Sequence, residues 1–344
     1  MTLLSKRSTA AATWSRTIQD SESRVIWHGI CVLCLLLGSI APGEVLAQRW
    51  ILVYAGGSNH LHQSASNIEH LFYSQLGSSS RRLFDGVVYL DTRSPSGHNL
   101  LSWASGPPDP SDYASYLDTL MSPRGALAIA DSISRSHSDT LLVALMIPYP
   151  LGKVTRSPAS DSRVTFIASY IARAESLYAS RHFQSLRLWG FYWLPENVSP
   201  NDTAIVQHFT TIVHWHGLRA LWIPYYLATL TPRWRNLGFD SAILQPNYYM
   251  GDSIGPERLD SALSRAMAWG MGLEVEFDRR LLTEPKYVAR LNRYMEVLES
   301  GKGREHIQVV AVYDGAGALW DLAGARDEEL KAVYGRLVHL LEAR

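Results

Sequence analysis

Eight short apolar runs follow one another along the chain, and they constrain its fold more than any other feature. Most are rich in Val, Ile, Leu and aromatic residues and end at Gly, Pro, Asp or Asn, as buried strands do. Stretches of helical period separate them, for example residues 164–178. Strand and helix alternating eight times predict an α/β fold, a (β/α)₈ TIM barrel. The runs are residues 50–55, 86–91, 141–148, 186–193, 220–225, 241–246, 272–277 and 308–313.

A doubly wound open sheet is the alternative architecture, because it also alternates strands with helices. It usually has fewer strands, and this chain lacks its glycine-rich phosphate-binding fingerprint. No linker rich in Pro, Gly or Ser divides residues 48–344, so we predict one barrel domain there. Residues 230–237 are predicted as a helix that is short for a barrel, and residues 97–112 as a long binding loop over the mouth.

Residues 1–47 are predicted to be a signal peptide rather than part of the fold. Basic residues precede an apolar stretch, 30–40, that is too short to span a bilayer. Val45-Leu46-Ala47 then offers the small-residue pattern of a cleavage site. An uncleaved anchor is the alternative. We expect a secreted or periplasmic protein that makes no membrane contact after cleavage.

The composition of residues 48–344 excludes several classes of function. Both cysteines, Cys31 and Cys34, lie in the predicted signal peptide, so no thiolate chemistry or disulfide is expected. The predicted mature chain keeps 28 of the 32 basic and 29 of the 32 acidic residues, a nearly neutral balance. Without a basic run, nucleic acid is not an expected partner. We expect a monomer.

The residues that close each run are the candidates for a binding site, because ligands of such barrels bind at the carboxyl ends of the strands. They are aromatic, acidic and amide-bearing. Aromatic faces stack on the C–H faces of sugars, and carboxylates and amides bind hydroxyl groups. We therefore predict a carbohydrate substrate, with no cofactor and no metal. The predicted substrate-binding residues are Arg93, Tyr149, Tyr192, Trp193, Tyr225, Gln245, Asn247, Tyr248, Glu274, Asp278 and Tyr313.

The seventh run carries acids on one face of its predicted strand. Alternation would point Glu274, Glu276 and Asp278 into the barrel and the apolar residues between them towards the helices. Inward carboxylates are costly to bury unless they are paired or functional. A structural network with Arg93 or a neighbouring tyrosine is the alternative, and it applies first to Glu274, the deepest of the three.

Glu196 follows the fourth run, and the ends of strands four and seven face each other across a barrel mouth. A solvated acid at the start of a helix is the ordinary interpretation of such a residue. Together with Glu276, however, it could flank a glycosidic bond. Both side chains are long enough to approach each other, so we predict retention of configuration. Glu276 would then be the ionised nucleophile. Glu196 would be the acid/base, partly protonated because of Trp193 and the Glu276 charge.

His60 and His62 suggest a third possibility, a metal-dependent amidohydrolase-like enzyme, because such barrels keep a His-x-His pair after the first strand. A metal site needs further ligands, and the fifth and sixth runs end without histidine. This hypothesis ranks last.

Six sequence blocks stand out in order along the chain, at residues 84–97, 147–150, 190–196, 222–226, 244–248 and 274–278. In this order they resemble the secreted bacterial family grouped as domain of unknown function 4855, over nearly all of residues 48–344. The resemblance implies a glycoside-hydrolase-type barrel, and it implies the reaction only by analogy. The working hypothesis is a retaining glycoside hydrolase with catalytic Glu196 and Glu276. The alternative is a carbohydrate-binding barrel without turnover.

Cleavage of the signal peptide gives the first testable prediction. Protein recovered from the medium or the cell envelope should begin near Gln48, because the small-residue pattern ends at Ala47. N-terminal sequencing measures this directly. An intact form beginning at Met1 in those fractions would contradict cleavage.

Overall fold

The computed structural model describes residues 49–58, 65–74, 76, 80–101, 109–150, 162–315 and 317–344. In this part of the chain, eight parallel strands close into a barrel in sequence order, with β8 pairing back onto β1. The predicted fold class is therefore confirmed. The strands are β1 (Arg49–Tyr54), β2 (Gly86–Leu90), β3 (Leu141–Ile147), β4 (Leu186–Trp193), β5 (Arg219–Trp222), β6 (Ser241–Leu244), β7 (Gly272–Glu276) and β8 (Val310–Tyr313).

Helices join the strands on the outside of the barrel. The connection from β2 to β3 contains two of them, and two more follow β8. The helices are α1 (Ala65–Phe72), α2 (Pro110–Leu120), α3 (Ala126–Ser136), α4 (Ser162–Arg181), α5 (Thr203–Trp215), α6 (Glu257–Trp269), α7 (Pro285–Glu299), α8 (Gly301–His306), α9 (Ala318–Ala323) and α10 (Glu328–Glu342). None of the helices described is long and apolar enough to cross a bilayer.

The connection from β5 to β6 corrects the helix predicted at residues 230–237. It contains only a 3₁₀ helix, Thr231–Arg233. Leu230 precedes it with a left-handed φ of 56°, and Gly238 ends the segment at a φ of 92°. Two left-handed residues so close together leave no room for a regular α-helix.

Two tryptophans close the amino-terminal end of the barrel. Trp50 lies on the same face of β1 as Leu52 and Tyr54, because side chains alternate along a strand. Trp189 is the extra residue of a bulge in β4, and its ring meets that of Trp50 edge to face at 5.0 Å. The ring of Trp50 also covers Gly86, where a Cβ would lie within 2.5 Å of it. The interior is therefore packed at this end, and space remains only towards the other.

The strands β5 and β6 are shorter than predicted, but their loops stay aligned. Tyr225 and Gln245 form an isolated parallel bridge beyond the ends of these strands. Asn247 follows with a left-handed φ of 54°, which asparagine tolerates better than most residues. The mouth of the barrel here is built from loops that continue the sheet.

Gly190 allows β4 and β5 to approach closely. A Cβ at this position would lie 1.8 Å from the backbone oxygen of Arg219. We expect Gly190→Ala to lower the free energy of unfolding by about 1–3 kcal/mol or more, as overpacking does. Urea denaturation gives the value.

Gly335→Ala is the matched control, because a Cβ there meets nothing within 4 Å and the residue lies inside α10. It should stabilise the protein by about 0.5–1 kcal/mol through helix propensity. Equal effects of the two substitutions would contradict the close approach.

Candidate active site

A cavity of about 370 Å³ lies at the carboxyl ends of the strands, where the barrel interior is not filled. Of the predicted residues, the walls contain Tyr192, Glu196, Gln245, Asn247, Glu274 and Tyr313. A second cavity of about 480 Å³ lies against α8 and α10, beside Arg304 and Arg344. Its lining includes Ile307 and Gln308, which precede β8, so it lies at the amino-terminal end of the barrel. Because the amino-terminal end of such barrels serves stability rather than ligand binding, the first cavity is the candidate site.

Glu274 on β7 is completely buried in the cavity wall. Neither of its carboxyl oxygens has a hydrogen-bond partner among the described residues. Burial raises the pKa of Glu274 well above its usual range, and the nearby charges of Glu276 and Glu196 raise it further. These surroundings therefore favour the protonated, neutral form of Glu274.

Glu276, two residues further along β7, is also completely buried but has hydrogen-bond donors. The hydroxyl of Tyr294 on α7 donates to its Oε2 at 2.5 Å. Burial raises the pKa of Glu276 to about 7, against the opposing hydrogen bonds of Tyr294 and of the backbone N–H groups of Asn247 and Tyr248. These donors favour the ionised carboxylate. Glu276 is not among the described residues that line the cavity; it lies beside Glu274.

Glu196 differs from both, because its side chain remains accessible to solvent at the cavity wall. The surrounding protein still removes water from the carboxyl and raises its pKa, and a hydrogen bond from the side chain of Gln245 opposes this. Burial is the cause that raises the pKa of Glu196, and the predicted effect of the Glu276 charge is not among the causes. The loop is fixed by Trp222, whose indole donates to Pro195 O at 3.0 Å, and by Tyr225 N, which donates to Glu196 O at 3.2 Å.

Comparison with known proteins bears on this site only through the family. Residues 49–339 match the family described as "Domain of unknown function (DUF4855)". The chain belongs to this family. A comparison with curated proteins gives no match.

Solved structures with a similar fold include a mutant tryptophan synthase alpha-subunit from the hyperthermophile Pyrococcus furiosus. It is 12% identical, with a TM-score of 0.41 over 86% of this chain and 98% of that one. Another is tryptophan synthase subunit alpha from Legionella pneumophila str. Paris, 11% identical, with a TM-score of 0.42 over 86% of this chain and 92% of that one. Such similarity concerns the fold alone, and the barrel is established by its strand pairing.

Three residues predicted to bind substrate in this DUF4855 protein are not among the described residues that line the cavity. Trp193 follows the inward Tyr192, so alternation places it on the outer face of β4, where it packs against Phe209 at 5.2 Å. Tyr248 packs against Tyr294 in the helix layer. Asp278 lies beyond the end of β7 and pairs with Arg280 at 2.7 Å, so it does not continue the inward face.

The remaining predicted residues are not among the described residues of the cavity wall. Arg93 donates to Gly97 O at 2.9 Å and is exposed. Tyr149 donates at 3.3 Å to Asp202, which follows β4 and also pairs with Arg163. Tyr225 is half-buried, and its backbone N–H donates to Glu196 O beside the wall. Substrate binding by these three residues stays a prediction.

Several residues of the site were not selected from the sequence. Tyr54 is the last residue of β1 and lines the cavity, with its ring edge to face with that of Tyr313 at 6.0 Å. Its position at a strand end is a sequence signal that could have identified it as a site residue. Tyr294 lies on a helix, and no strand-based argument could reach it. Thr92 and Met250 line the cavity from loops without a sequence pattern to identify them.

No group of three or more His, Cys, Asp or Glu residues is placed to hold a metal ion within the part of the chain that the structure describes. His60 and His62, on which the amidohydrolase alternative depended, lie outside the described residues. Residues 102–108 of the predicted binding loop also lie outside them.

The buried acids make stability depend on pH in a defined direction. Folded Glu274 and Glu276 keep protons that the unfolded chain releases near the ordinary glutamate pKa of 4.5. Their contribution is complete below that value and is lost as pH rises through the folded pKa, which is about 7 for Glu276. The free energy of unfolding should therefore fall between about pH 5 and about pH 8.

Glu274→Gln should make that decline shallower, because glutamine needs no proton to be neutral. Urea denaturation at several pH values measures the slope. Glu305→Gln, at an exposed position of α8, is the control and should leave the slope unchanged. Identical slopes in wild type and Glu274→Gln would contradict the raised pKa.

Proposed function

We propose that this protein is an exported, retaining glycoside hydrolase that acts on a poly- or oligosaccharide. The observation that carries the proposal is that Glu196 lies in the cavity wall and Glu276 is buried close enough to feel its charge, each acid in a different environment. The charge of Glu196 is among the influences that raise the pKa of Glu276, so the two carboxyl groups interact. Acids whose surroundings differ in this way can divide acid and nucleophile roles between them.

Glu276 suits the role of nucleophile because its neighbours favour the charged form. A nucleophilic carboxylate must be ionised, and the hydrogen bonds from Tyr294 and the backbone N–H groups stabilise that state. Those hydrogen bonds also fix the carboxylate, since Tyr294 is itself fully buried. A fixed carboxylate costs little reorganisation when it attacks the anomeric carbon.

Glu196 suits the role of acid/base for the opposite reason. Its enclosure favours the protonated form, yet its side chain remains accessible to substrate and water. In the first step Glu196 would protonate the leaving oxygen while the glycosidic bond breaks and Glu276 forms an ester with the sugar. In the second, Glu196 would take a proton from the water that hydrolyses this ester.

The tyrosines of the cavity support binding of a sugar ring. Tyr54 and Tyr313 stand edge to face in the wall, and Tyr192 is buried below. Burial raises the pKa of each, so all three phenols stay neutral and can donate hydrogen bonds to ring oxygens and hydroxyls. The apolar Leu52, Leu90 and other wall residues face the C–H surfaces.

A carbohydrate-binding barrel without turnover is the second candidate, and one observation favours it. Glu276 is wholly buried and held by Tyr294, whereas the cavity wall itself contains Glu196 and Glu274. If substrate cannot reach Glu276, the acids would only hold the hydroxyl groups of a bound sugar. Turnover and binding must therefore be measured separately.

The test is the activity of Glu196→Gln and Glu276→Gln on a polysaccharide panel on which the wild type is active. Each should lower kcat by about 10²–10⁴-fold, as loss of a general acid/base or a nucleophile does. Proton NMR of the fresh product should show the anomer of the substrate, since retention needs the ester intermediate. Glu305→Gln, far from the cavity, should be unaffected.

Two results would separate the candidates. Hydrolysis retained in full by either variant would remove that residue from the mechanism. Binding of an oligosaccharide by the wild type, with no release of product from any member of the panel, would favour the binding barrel. An inverted product would refute the ester intermediate.

A further inference from the structure

The cavity contains acceptor oxygens that no part of the described chain satisfies. Both oxygens of Glu274 and Oε1 of Gln245 are buried without a hydrogen-bond partner, and Oε1 of the neighbouring Glu276 has none either. Buried polar atoms in folded proteins almost always have a partner, and each exception needs an explanation. Here the acceptors of Glu274 and Gln245 belong to residues of one cavity wall. They call for a ligand that donates hydrogen bonds.

No basic side chain lies in the described part of the cavity wall, since none of the lining residues is Lys, Arg or His. By contrast, several acids outside the cavity have cations close by, such as Asp278 with Arg280 and Asp202 with Arg163. Glu274, Glu276 and Glu196 therefore face one another and neutral side chains. Burial of an unpaired carboxylate is costly, so the site favours a ligand that brings a compensating charge.

We propose that the sugar bound here carries a protonated primary amine, which Glu274 binds, so that the substrate class is a saccharide with free amino groups. Binding of the amine is inferred from the residues of the cavity wall alone. Hydrolysis of such a saccharide additionally rests on the proposed function.

An ammonium group fits the unsatisfied atoms better than the alternatives do. It supplies three donors and no acceptor, whereas a hydroxyl group supplies one donor and also needs donors of its own. An N-acetyl group replaces the charge with an amide and adds bulk beside a buried acid. A divalent cation needs several grouped ligands, and the described residues contain no such group.

Binding of an ammonium group would also change the state of the acids. Burial and the charges of Glu276 and Glu196 hold the pKa of Glu274 high, and a neighbouring cation opposes both effects. Glu274 could then ionise in the complex, which a neutral sugar would not allow. The positive charge would at the same time stabilise the ionised Glu276 that the proposed mechanism needs.

The experiment compares matched sugars in which one ring position carries an amine, an N-acetylamine or a hydroxyl group. Oligosaccharides of glucosamine, N-acetylglucosamine and glucose form one set, and the galactose series forms a second. Isothermal titration calorimetry with the wild-type protein should give at least about tenfold tighter binding of the amine in one set. Because this comparison uses only wild-type protein, it does not depend on any variant folding.

Glu274→Gln should reduce that preference to less than about twofold, since it keeps the shape and removes the charge. Glu305→Gln should keep the preference. Equal or tighter binding of the hydroxyl or N-acetyl sugars, or no binding of any amine by the wild type, would overturn the inference.

The outcomes also separate the two proposals. A preference for the amine without release of product would leave the inference standing and remove the hydrolase. Hydrolysis of a neutral or N-acetylated saccharide, with no preference for its amine form, would support the hydrolase and overturn the amine inference.

Discussion

Pairing of β8 with β1 closes the sheet, and the rest of the structure depends on that closure. Arg49, Trp50, Ile51 and Leu52 pair in register with the four residues of β8, so the barrel has no free edge in its wall. Closure divides every strand into an inward and an outward face. Side chains must then fill the inward face, because those that line an empty space lose van der Waals contacts.

The interior is filled unequally, and this inequality creates the site. At the amino end, Trp50 and Trp189 occupy the space and leave none for a ligand. Towards the carboxyl end, the inward positions of β7 hold glutamates instead of apolar side chains. A carboxyl group can be buried there only if it is protonated, hydrogen-bonded or paired with a cation. Glu276 has the hydrogen bonds, whereas Glu274 among the described residues has none.

The architecture could be predicted from the sequence because it depends on short-range pattern. Eight apolar runs gave all eight strands. Alternation placed Glu274 at the cavity, and the position at the end of a run selected Tyr192 and Tyr313. Alternation should also have placed Trp193 outside, since it directly follows the inward Tyr192. Asp278 was assigned by extending alternation past the end of β7, where the backbone turns into a 3₁₀ helix and alternation no longer holds.

Contacts between distant segments could not be predicted in this way. Tyr294 belongs to the buried face of α7, where a tyrosine is an ordinary core residue until its hydroxyl group finds a partner. The left-handed Asn247 offered no signal either, because asparagine also occurs in many turns of ordinary geometry. Such details follow from how the closed barrel brings loops and helices together, and one sequence does not encode them locally.

Tyr294 connects the candidate nucleophile to the packing of the barrel. Its hydroxyl donates to Glu276 and accepts from the backbone N–H of Tyr249 at 3.3 Å, so one oxygen joins β7, α7 and the loop after β6. That loop also contains Asn247, whose own Oδ1 accepts from Tyr226 N at 3.1 Å. The position of the acid is therefore set by elements that also form the core. A site built in this way gains a fixed carboxylate, and in return it cannot relax without disturbing the packing of α7.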